Sequence, residues 1–262
     1  QLGGSNPQEL SKCIKLIENY SYDEINLNCG CPSDRVQNGM FGAVMMKNAN
    51  LTADCISALL DASKLPISVK HRIGVDDFDS YDFLCDFVET VSNTGCKVFI
   101  IHARKAWLKG LSPKQNREIP ELNYDRVYQL KRDFPELEII INGGISSIQD
   151  SVDHLHELDG VMIGREAYTN PYMLAEVDQK IYGEEKSVIK REEIAEKFCQ
   201  YVDNEMVKGE KLHSMTRHIL GLYRGVKGAK QFRRHISENA QGEKASIDVL
   251  YDALKKVGEH QK

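Results

Sequence analysis

The chain has 262 residues, with 34 Lys and Arg against 39 Asp and Glu and a net charge of −5 when histidines are neutral. Hydrophobic residues make up 41% and charged residues 28%, as in an ordinary globular protein. No uninterrupted apolar run approaches the roughly 20 residues of a membrane-spanning helix, and no secretory leader is recognisable. We therefore expect a cytoplasmic protein with one large domain, or with one large and one small domain.

The cysteines predict neither disulfides nor a metal site. There are seven, an odd number, and they form no CxxC pair. Disulfide frameworks are typical of small secreted domains, so we expect reduced thiols. Only Cys29 and Cys31 lie close together in the sequence, whereas a zinc site requires several clustered Cys or His ligands.

Short apolar runs alternate with longer amphipathic patterns through residues 1–185. The strand candidates, in chain order, are Glu24–Asn28, Ile67–His71, Lys97–His102, Glu138–Asn142 and Gly160–Gly164. Helical patterns lie between them, as at Ser80–Thr90 and Ser146–Leu155. This alternation predicts βαβ units and a parallel sheet. Residues 186–262 show no comparable strands, and Glu192–Val207 and Ile247–Val257 are typical of helices.

The charge is unevenly distributed along the chain. Residues 186–262 contain 16 Lys and Arg and 11 Asp and Glu, a net of +5, whereas residues 1–185 contain 18 and 28, a net of −10. This contrast predicts a domain boundary near 183–186. We expect an α/β domain over residues 1–185 and a small, basic, helical domain over residues 186–262.

Polar residues or glycines follow all of the predicted strands. In chain order they are Asn28 with Cys31, Lys70 with Arg72, His102 with Arg104, Asn142-Gly143-Gly144, and Gly164-Arg165. In parallel α/β folds, ligands bind at the carboxyl ends of the strands. These residues therefore predict one shared site.

The last two strand ends predict a phosphate site. Gly143 and Gly144 lead into the helical pattern at Ser146–Leu155, whose first N–H groups can face an anion, together with Arg165. In (β/α)8 barrels a phosphate commonly binds after the last two strands. The alternative is that the glycines only form turns between strand and helix.

Cys31 lies between Gly30 and Pro32, beyond the first predicted strand, which favours a chemical role over packing. A thiol with an ordinary pKa of about 8.5 can donate a proton at pH 7, whereas a lowered pKa would make it a nucleophile. The residue types leave both roles open. Cys29 lies nearer the strand, and we expect it to pack in the core.

Lys70 interrupts an apolar strand, where an unpaired ammonium group is costly. A ligand anion or an electron-rich ring explains it better than a side chain that extends to solvent or pairs with a carboxylate. His102 ends another apolar run and supports the same interpretation. The alternative interpretation is that His102 is a hydrogen-bonded histidine of the core.

Two basic segments are candidates for nucleic-acid contact. The first surrounds the only tryptophan, Trp107, with Arg104, Lys105, Lys109, Lys114 and Arg117. The second, residues 217–235, contains six Lys and Arg and no acid in 19 residues. Such clusters bind phosphates in a salt-dependent way. The alternatives are a solvated charged loop and one basic helix face.

These motifs, taken in order, resemble those of the tRNA-dihydrouridine synthases. They are QLGG (1–4), INLNCGCPSDRVQNGMFGA (25–43), VKHRIG (69–74), FIIHARKAWLKGLSPKQNREIP (99–120), INGGI (141–145) and DGVMIGREAYTNP (159–171). The match covers nearly the whole chain. The segments at 99–120 and 217–239 are similar to the A subfamily, which reduces uridines at D-loop positions 20 and 20a of tRNA.

The resemblance implies a (β/α)8 TIM barrel with FMN at its top, a C-terminal helical tRNA-binding domain, and NADPH as the reductant. It implies that Cys31 protonates C5 of uracil while a hydride adds to C6. The implied FMN contacts are Gln1, Lys70, His102, Asn142, Gly143, Gly144, Gly164 and Arg165. The implied tRNA contacts are Asn28, Lys114, Arg117, Lys230 and Arg233.

The start of the chain departs from the family. Its members open the barrel with a strand that carries a Pro-Met-Met FMN motif, followed by a further helix and strand, whereas this sequence enters at QLGG, near the end of the third strand. The remaining strand signals cannot close an eight-stranded barrel. We expect that an N-terminal segment of the protein precedes this sequence. The alternative is a piece that is impaired in flavin binding.

Two other functions are compatible with parts of the sequence. One is an FMN-dependent barrel that reduces a small pyrimidine, and the basic segment 217–235 argues against it. The other is a non-catalytic tRNA-binding factor, against which the set of Cys31, Lys70 and His102 argues. We favour the tRNA-modifying enzyme and expect it to be a monomer.

Overall fold

The computed structural model describes residues 1–17, 19–33, 39–242 and 245–258. Five strands form one sheet in chain order, and every neighbouring pair is parallel. They are β1 Ile25–Cys29, β2 Ile67–Arg72, β3 Val98–His102, β4 Glu138–Asn142 and β5 Gly160–Met162. Leu2 forms an isolated parallel bridge with Leu27 at the outer edge of β1. The predicted strands and the parallel α/β sheet are confirmed, although β5 ends at Met162 and not at Gly164.

Helices connect the strands and make up most of the chain after β5. They are α1 Pro7–Ile17, α2 Ala49–Ala62, α3 Tyr81–Ser92, α4 Tyr124–Asp133, α5 Ile148–Leu155, α6 Arg165–Thr169, α7 Val177–Lys180, α8 Arg191–Val207, α9 Leu212–Thr216, α10 Ala229–Asn239 and α11 Asp248–Gly258. Short 3₁₀ segments lie at Gly42–Lys47, Gln115–Arg117 and Pro171–Glu176. The four predicted helices are present. In the described ranges, no helix is long and apolar enough to cross a membrane.

The two-residue period of the strands sorts their side chains onto two faces of the sheet. Residues paired across neighbouring strands share a face, as Asn28 does with Lys70 and His102 with Asn142. One face is apolar and buried, and includes Leu27, Val69, Phe99, Ile101, Ile139 and Ile141. The other face carries Asn26, Asn28, Ser68, Lys70, Arg72, His102 and Asn142. The strand residues that predicted a site therefore lie together on one polar face.

The chain consists of two compact units. The first comprises Gln1–Ile145 and Asp153–Met162, and the second comprises the described residues of Ser146–Val152 and Ile163–Lys262. Residues 163–185, which we assigned to the first domain, belong to the second unit. They join it because Tyr172 packs against its hydrophobic core and Glu166 pairs with Arg224 at 2.8 Å. The domain division near residue 185 stays a prediction.

The second unit has a hydrophobic core of its own. Its buried members come from four helices and the turns between them, and those that are fully buried are Val202, Phe232, Leu250 and Ala253. The rings of Tyr223 and Phe232 meet edge to face, with centroids 5.1 Å apart. Arg191 lies 3.6 Å from the centre of the Tyr172 ring and donates a 3.0 Å hydrogen bond from Nε to the carbonyl of Leu222. From residue 163 onward, the part of the chain that is described contains helices and turns but no strand.

His71 is the one histidine among the described strand residues that points into the apolar face. It is fully buried, and its ring centroid lies 5.1 Å from that of Phe87 and 5.9 Å from that of Phe99. Nδ1 lies 2.7 Å from the carbonyl of Arg72, whereas Nε2 has no hydrogen-bond partner among the described residues. Burial lowers the pKa of His71 to about 4. The ring is therefore neutral in the folded protein at pH 7.

We predict that His71 makes the fold sensitive to mild acid. Its folded pKa of about 4 lies below the ordinary value of 6.5, so the unfolded chain takes up the proton first as the pH falls. Stability is then lost progressively from about pH 6.5 to about pH 4, by roughly 3 kcal/mol in total. Urea unfolding across this range measures the loss. His71→Met, which cannot titrate, is the control, and an equally steep pH dependence in that variant would contradict the assignment.

Candidate active site

The turn after β1 presents Cys31 at the end of the strand. The Asn28 side chain accepts hydrogen bonds at Oδ1 from the backbone N–H groups of Gly30 and Cys31, at 3.0 and 3.1 Å. Such a turn is typical of asparagine. Cys31 is partly exposed, and its Sγ lies 3.5 Å from Oγ of Ser33. The predicted position of Cys31 beyond the strand is confirmed, and its chemical role stays a prediction.

Cys29 and Cys31 lie in different environments. Cys29 is fully buried at the end of β1, and burial raises the pKa of its thiol. The expected packing role of Cys29 is therefore confirmed. Of the two thiols, only the partly exposed Cys31 is accessible to a substrate.

A chain of amide hydrogen bonds holds Asn28 in place. Its Nδ2 donates to Oε1 of Gln1 at 3.0 Å, and Nε2 of Gln1 donates to Oδ1 of Asn26 at 2.6 Å. Asn26 in turn donates from Nδ2 to Oγ of Ser68 at 2.9 Å. Because Nδ2 of Asn28 is engaged on this side, its Oδ1 points to the turn that carries Cys31. The structure thus brings Gln1, Asn28 and Cys31 together, as the predicted common site requires.

Lys70 extends along the polar face to Asn142. Its Nζ donates to Oδ1 of Asn142 at 3.0 Å, and Nδ2 of Asn142 donates to the carbonyl of Met162 at 2.7 Å. Burial lowers the pKa of Lys70 to about 8, and the charge of Arg72 acts in the same direction. Within the described part of the chain, no carboxylate pairs with Lys70. The alternative of a salt-bridged lysine is therefore not what the structure shows, and the ammonium group can still bind an anion or an electron-rich ring.

The loop after β4 passes close to His102. Gly143 and Gly144 have φ angles of 116° and 73°, in the left-handed region that favours glycine. A Cβ atom at Gly143 would lie 2.6 Å from Cδ2 of His102, and one at Gly144 would lie 2.5 Å from Cδ1 of Leu122. Tyr124 also donates a 2.8 Å hydrogen bond from its hydroxyl to the Gly143 carbonyl. Backbone conformation and packing both require glycine here, so the phosphate site stays a prediction.

The start of α5 differs from the expected anion site. Oδ2 of Asp150 accepts hydrogen bonds from the N–H groups of Ser146 and Ser147, at 3.0 and 3.1 Å. The N–H of Asp150 donates in return to Oγ of Ser147 at 3.0 Å, as in a capping box. These bonds lower the pKa of Asp150. The expectation that the first N–H groups face an external anion is wrong for these two serines, because a carboxylate of the same helix satisfies them.

Gly164 and Arg165 follow the end of β5 along the chain and belong to the second unit. Both are exposed, and nothing lies within 4 Å of the position that a Cβ atom of Gly164 would occupy. Glu166, the next residue, is paired with Arg224. The part of these two residues in phosphate binding stays a prediction.

Arg72 is the residue of the site whose role we did not anticipate. It is only 3% exposed, and its guanidinium group donates to three backbone carbonyls: Gly30 at 3.0 Å, Lys105 at 3.0 Å and Asn116 at 2.8 Å. Burial lowers its pKa to about 10, and the nearby Cys31 thiol acts in the opposite direction. Arg72 is therefore still a cation at neutral pH. The sequence did contain a signal for this role: Arg72 lies two residues after Lys70, which places a second cation on the same face of the same strand.

The segment from 103 to 120, which we call the Trp107 segment, is organised around a buried amide. Asn116 accepts a 2.8 Å hydrogen bond at Oδ1 from the N–H of Trp107. Its Nδ2 donates to the carbonyls of Trp107 and Leu111 at 2.8 and 3.2 Å. Nζ of Lys105 lies 4.2 Å from the Trp107 ring centroid and 2.7 Å from Oδ2 of Asp79. The basic residues around the tryptophan thus belong to a segment whose backbone is held by hydrogen bonds.

The residues proposed to contact tRNA are exposed cations in both units. Lys114 and Arg117 lie at the start and the end of the 3₁₀ turn of the Trp107 segment. Lys230 and Arg233 lie three positions apart on α10, which places them on one side of that helix. Their contact with tRNA stays a prediction.

The basic segment 217–235 is not a single helix. α10 begins only at Ala229, after Gly228, whose φ of 88° interrupts the preceding turns. Two of the cations form ion pairs, Arg224 with Glu166 at 2.8 Å and Arg234 with Glu238 at 2.7 Å, and Arg217 donates from Nε to Nε2 of His218 at 3.0 Å. The alternative of one basic helix face therefore applies only to the last part of the segment.

Comparisons with known proteins identify relatives. The family model described as dihydrouridine synthase (Dus) matches residues 1–258. The tRNA-dihydrouridine(20/20a) synthase of Vibrio parahaemolyticus is 57% identical over 258 residues, which is 98% of this chain and 79% of the relative. That of Escherichia coli K12 is 57% identical over 260 residues, 99% of this chain and 75% of the relative. A crystal structure of dihydrodipicolinate synthase from Acinetobacter baumannii gives a TM-score of 0.42 at 12% identity over 97% of this chain and 93% of that chain, too low to support an inference.

We predict that Gly143→Ala destabilises the first unit by roughly 2–4 kcal/mol, because strain at a positive φ is combined with a clash against His102. Gly110→Ala is the matched control, since Gly110 has a φ of 84° but nothing within 4 Å of the added Cβ. The control reports the backbone strain alone, about 1 kcal/mol. Urea unfolding compares the two variants. Equal losses of stability would mean that His102 moves aside without resistance.

Proposed function

Because the chain belongs to the dihydrouridine synthase family, we propose that Cys31 is the proton donor in the reduction of uridine to dihydrouridine at D-loop positions 20 and 20a of tRNA. Membership of the family makes the chain a tRNA-modifying enzyme of this type. The observation that carries the proposal is a partly exposed thiol in the turn after β1, held by Asn28, which pairs with Lys70 of the neighbouring strand β2 on the same polar face of the sheet.

The residues of the polar face fit FMN. The Lys70 ammonium group, oriented by Asn142, can bind an anionic or electron-rich ring. The residues of the first unit that would hold FMN are Gln1, Lys70, His102, Asn142, Gly143 and Gly144. The contacts of Gly164 and Arg165 with FMN stay predictions from the family resemblance. When bound, FMN supplies the hydride for C6 of uracil, with NADPH as the source of electrons.

Cys31 completes the reduction by donating a proton to C5 of uracil. Addition of a hydride at C6 places negative charge on C5 and on the adjacent carbonyl, and a neutral thiol is a suitable acid to quench it. Lys70, with a pKa of about 8, is largely protonated at pH 7 and can stabilise this developing charge. Asn28 orients the turn that carries the thiol and would also contact the tRNA beside it.

Exposed cations of both units would hold the tRNA. Lys114 and Arg117 belong to a segment that is already ordered by Asn116, so little conformational entropy is lost when they bind phosphates. Lys230 and Arg233 would act in the same way from α10. The target uridine must leave its base stack to reach the site. A reductase of a free pyrimidine would require neither pair of cations.

We predict that Cys31→Ala lowers dihydrouridine formation in unmodified tRNA by roughly two to three orders of magnitude, as expected for loss of a general acid. Reduction of the flavin by NADPH should be unchanged, because the thiol takes no part in it. Nucleoside mass spectrometry and flavin absorbance measure the two steps. Cys13→Ala, which removes another partly exposed thiol on α1, is the control. Full activity of Cys31→Ala would refute the assignment.

We also predict that the double variant Lys114→Glu, Arg117→Glu binds tRNA more weakly and with a smaller salt dependence. Loss of two phosphate contacts reduces the slope of log K against log salt concentration by roughly 2. Filter binding at several salt concentrations measures the slope. The matched control is Lys12→Glu, Lys15→Glu, an exposed pair of lysines with the same spacing on α1. Equal effects of the two double variants would indicate non-specific charge repulsion.

A further inference from the structure

We propose that Arg72 is a positioning residue that couples the turn carrying Cys31 to the Trp107 segment carrying Lys114 and Arg117. Because Arg72 holds both segments, the position of the Cys31 thiol depends on the position of the Trp107 segment, which we propose to contact RNA. This inference rests on the function proposed for the two segments, but the contacts that suggest it are independent of that function. Arg72 would act through the backbone of both segments and not on the substrate.

The peptide between Gly30 and Cys31 is held at both of its polar groups. Its N–H, on Cys31, donates to Oδ1 of Asn28 at 3.1 Å, and its carbonyl, on Gly30, accepts from Nε of Arg72 at 3.0 Å. Two bonds from opposite ends of one peptide set the orientation of its plane. Because Cα of Cys31 is part of that plane, these bonds also fix the position from which the Cys31 side chain extends.

The other edge of the guanidinium group holds the Trp107 segment at two points. Nη1 donates to the carbonyls of Lys105 and Asn116, at 3.0 and 2.8 Å. The side chain of Asn116 in turn binds the backbone N–H and carbonyl of Trp107, both at 2.8 Å. Arg117, a proposed tRNA contact, is the next residue after Asn116. A shift of this segment is therefore transmitted to Arg72 through backbone atoms.

Only an arginine can make this connection. Its planar fork carries five N–H donors in fixed directions, whereas a lysine offers a single charged centre. A buried cation needs partners, and within the described ranges Arg72 pairs with no carboxylate. The three carbonyls therefore take the place of a counter-ion. The charge of Arg72 ties it to both segments at once.

The test measures alkylation of each cysteine by iodoacetamide in the full chain, resolved by peptide mass spectrometry. In Arg72→Met we expect the Cys31 rate to change by about tenfold, because the turn that carries Cys31 loses the one charge-assisted hydrogen bond that Arg72 donates to it. The buried thiols of Cys29, Cys55, Cys96 and Cys199 should stay protected, and they report global unfolding. Arg72→Lys should give a smaller change, because it keeps the charge and reaches fewer carbonyls.

Arg104 provides the matched control. Its Nη1 donates to the carbonyls of Glu118 and Pro120, both within the Trp107 segment. Arg104→Gln should therefore alter tRNA affinity, and it should change the alkylation rate of Cys31 less than Arg72→Met does, because the carbonyls of Lys105 and Asn116 keep their bonds to Arg72. The Arg72 variants should alter both quantities. A Cys31 rate that is equally affected by Arg104→Gln would overturn the specific role of Arg72.

The remaining outcomes also decide the matter. An unchanged Cys31 rate in Arg72→Met, with weaker tRNA binding, would overturn the coupling. If the buried thiols react in that variant, Arg72→Lys decides: a selective change at Cys31 supports the coupling, and no change overturns it. Alkylation requires neither FMN nor tRNA. The coupling can therefore hold even if Cys31→Ala proves fully active and the proposed function fails.

Discussion

A cation that is buried on one face of a parallel sheet must find its partners inside the protein. The buried Arg72 and the partly exposed Lys70 both lie on the polar face of β2, and neither pairs with a carboxylate of the described chain. An isolated buried charge costs several kcal/mol, so the acceptors that replace the carboxylate determine the local structure. For Lys70 the acceptor is the amide of Asn142, and for Arg72 it is a set of three carbonyls.

This requirement organises the site around a single strand. Lys70 presents its charge to the space above the sheet, where a ring or an anion can bind. Arg72, two residues further on, uses its charge to hold the turns that leave β1 and β3. Asn28 reinforces the first turn from the neighbouring strand. The two cations of β2 thus differ in their surroundings. Lys70 can still bind a ligand, whereas Arg72 is hydrogen-bonded to backbone carbonyls of the neighbouring segments.

The elements and the common face of the site were predictable because they depend on local patterns. Alternating side chains and apolar runs identify the strands, and parallel register brings their polar ends together. The expectation that the first N–H groups of α5 face an external anion was wrong for Ser146 and Ser147, although Ser147 and Asp150 have the spacing of a capping box. Likewise, Gly228 marks where the basic segment 217–235 cannot continue as one helix. In both places the sequence contained a signal for the observed structure.

The sequence by itself determined which polar residues lie at the carboxyl end of the sheet, because strand periodicity is a property of neighbours along the chain. It also indicated the family, through motifs that extend over nearly all of the chain. The partner of each polar group was decided by the tertiary structure. Arg72 and Asn116 lie 44 positions apart, and Lys70 and Asn142 lie 72 apart. A hydrogen bond depends on distances of a few tenths of an ångström, and residue types do not specify these until the strands are packed side by side.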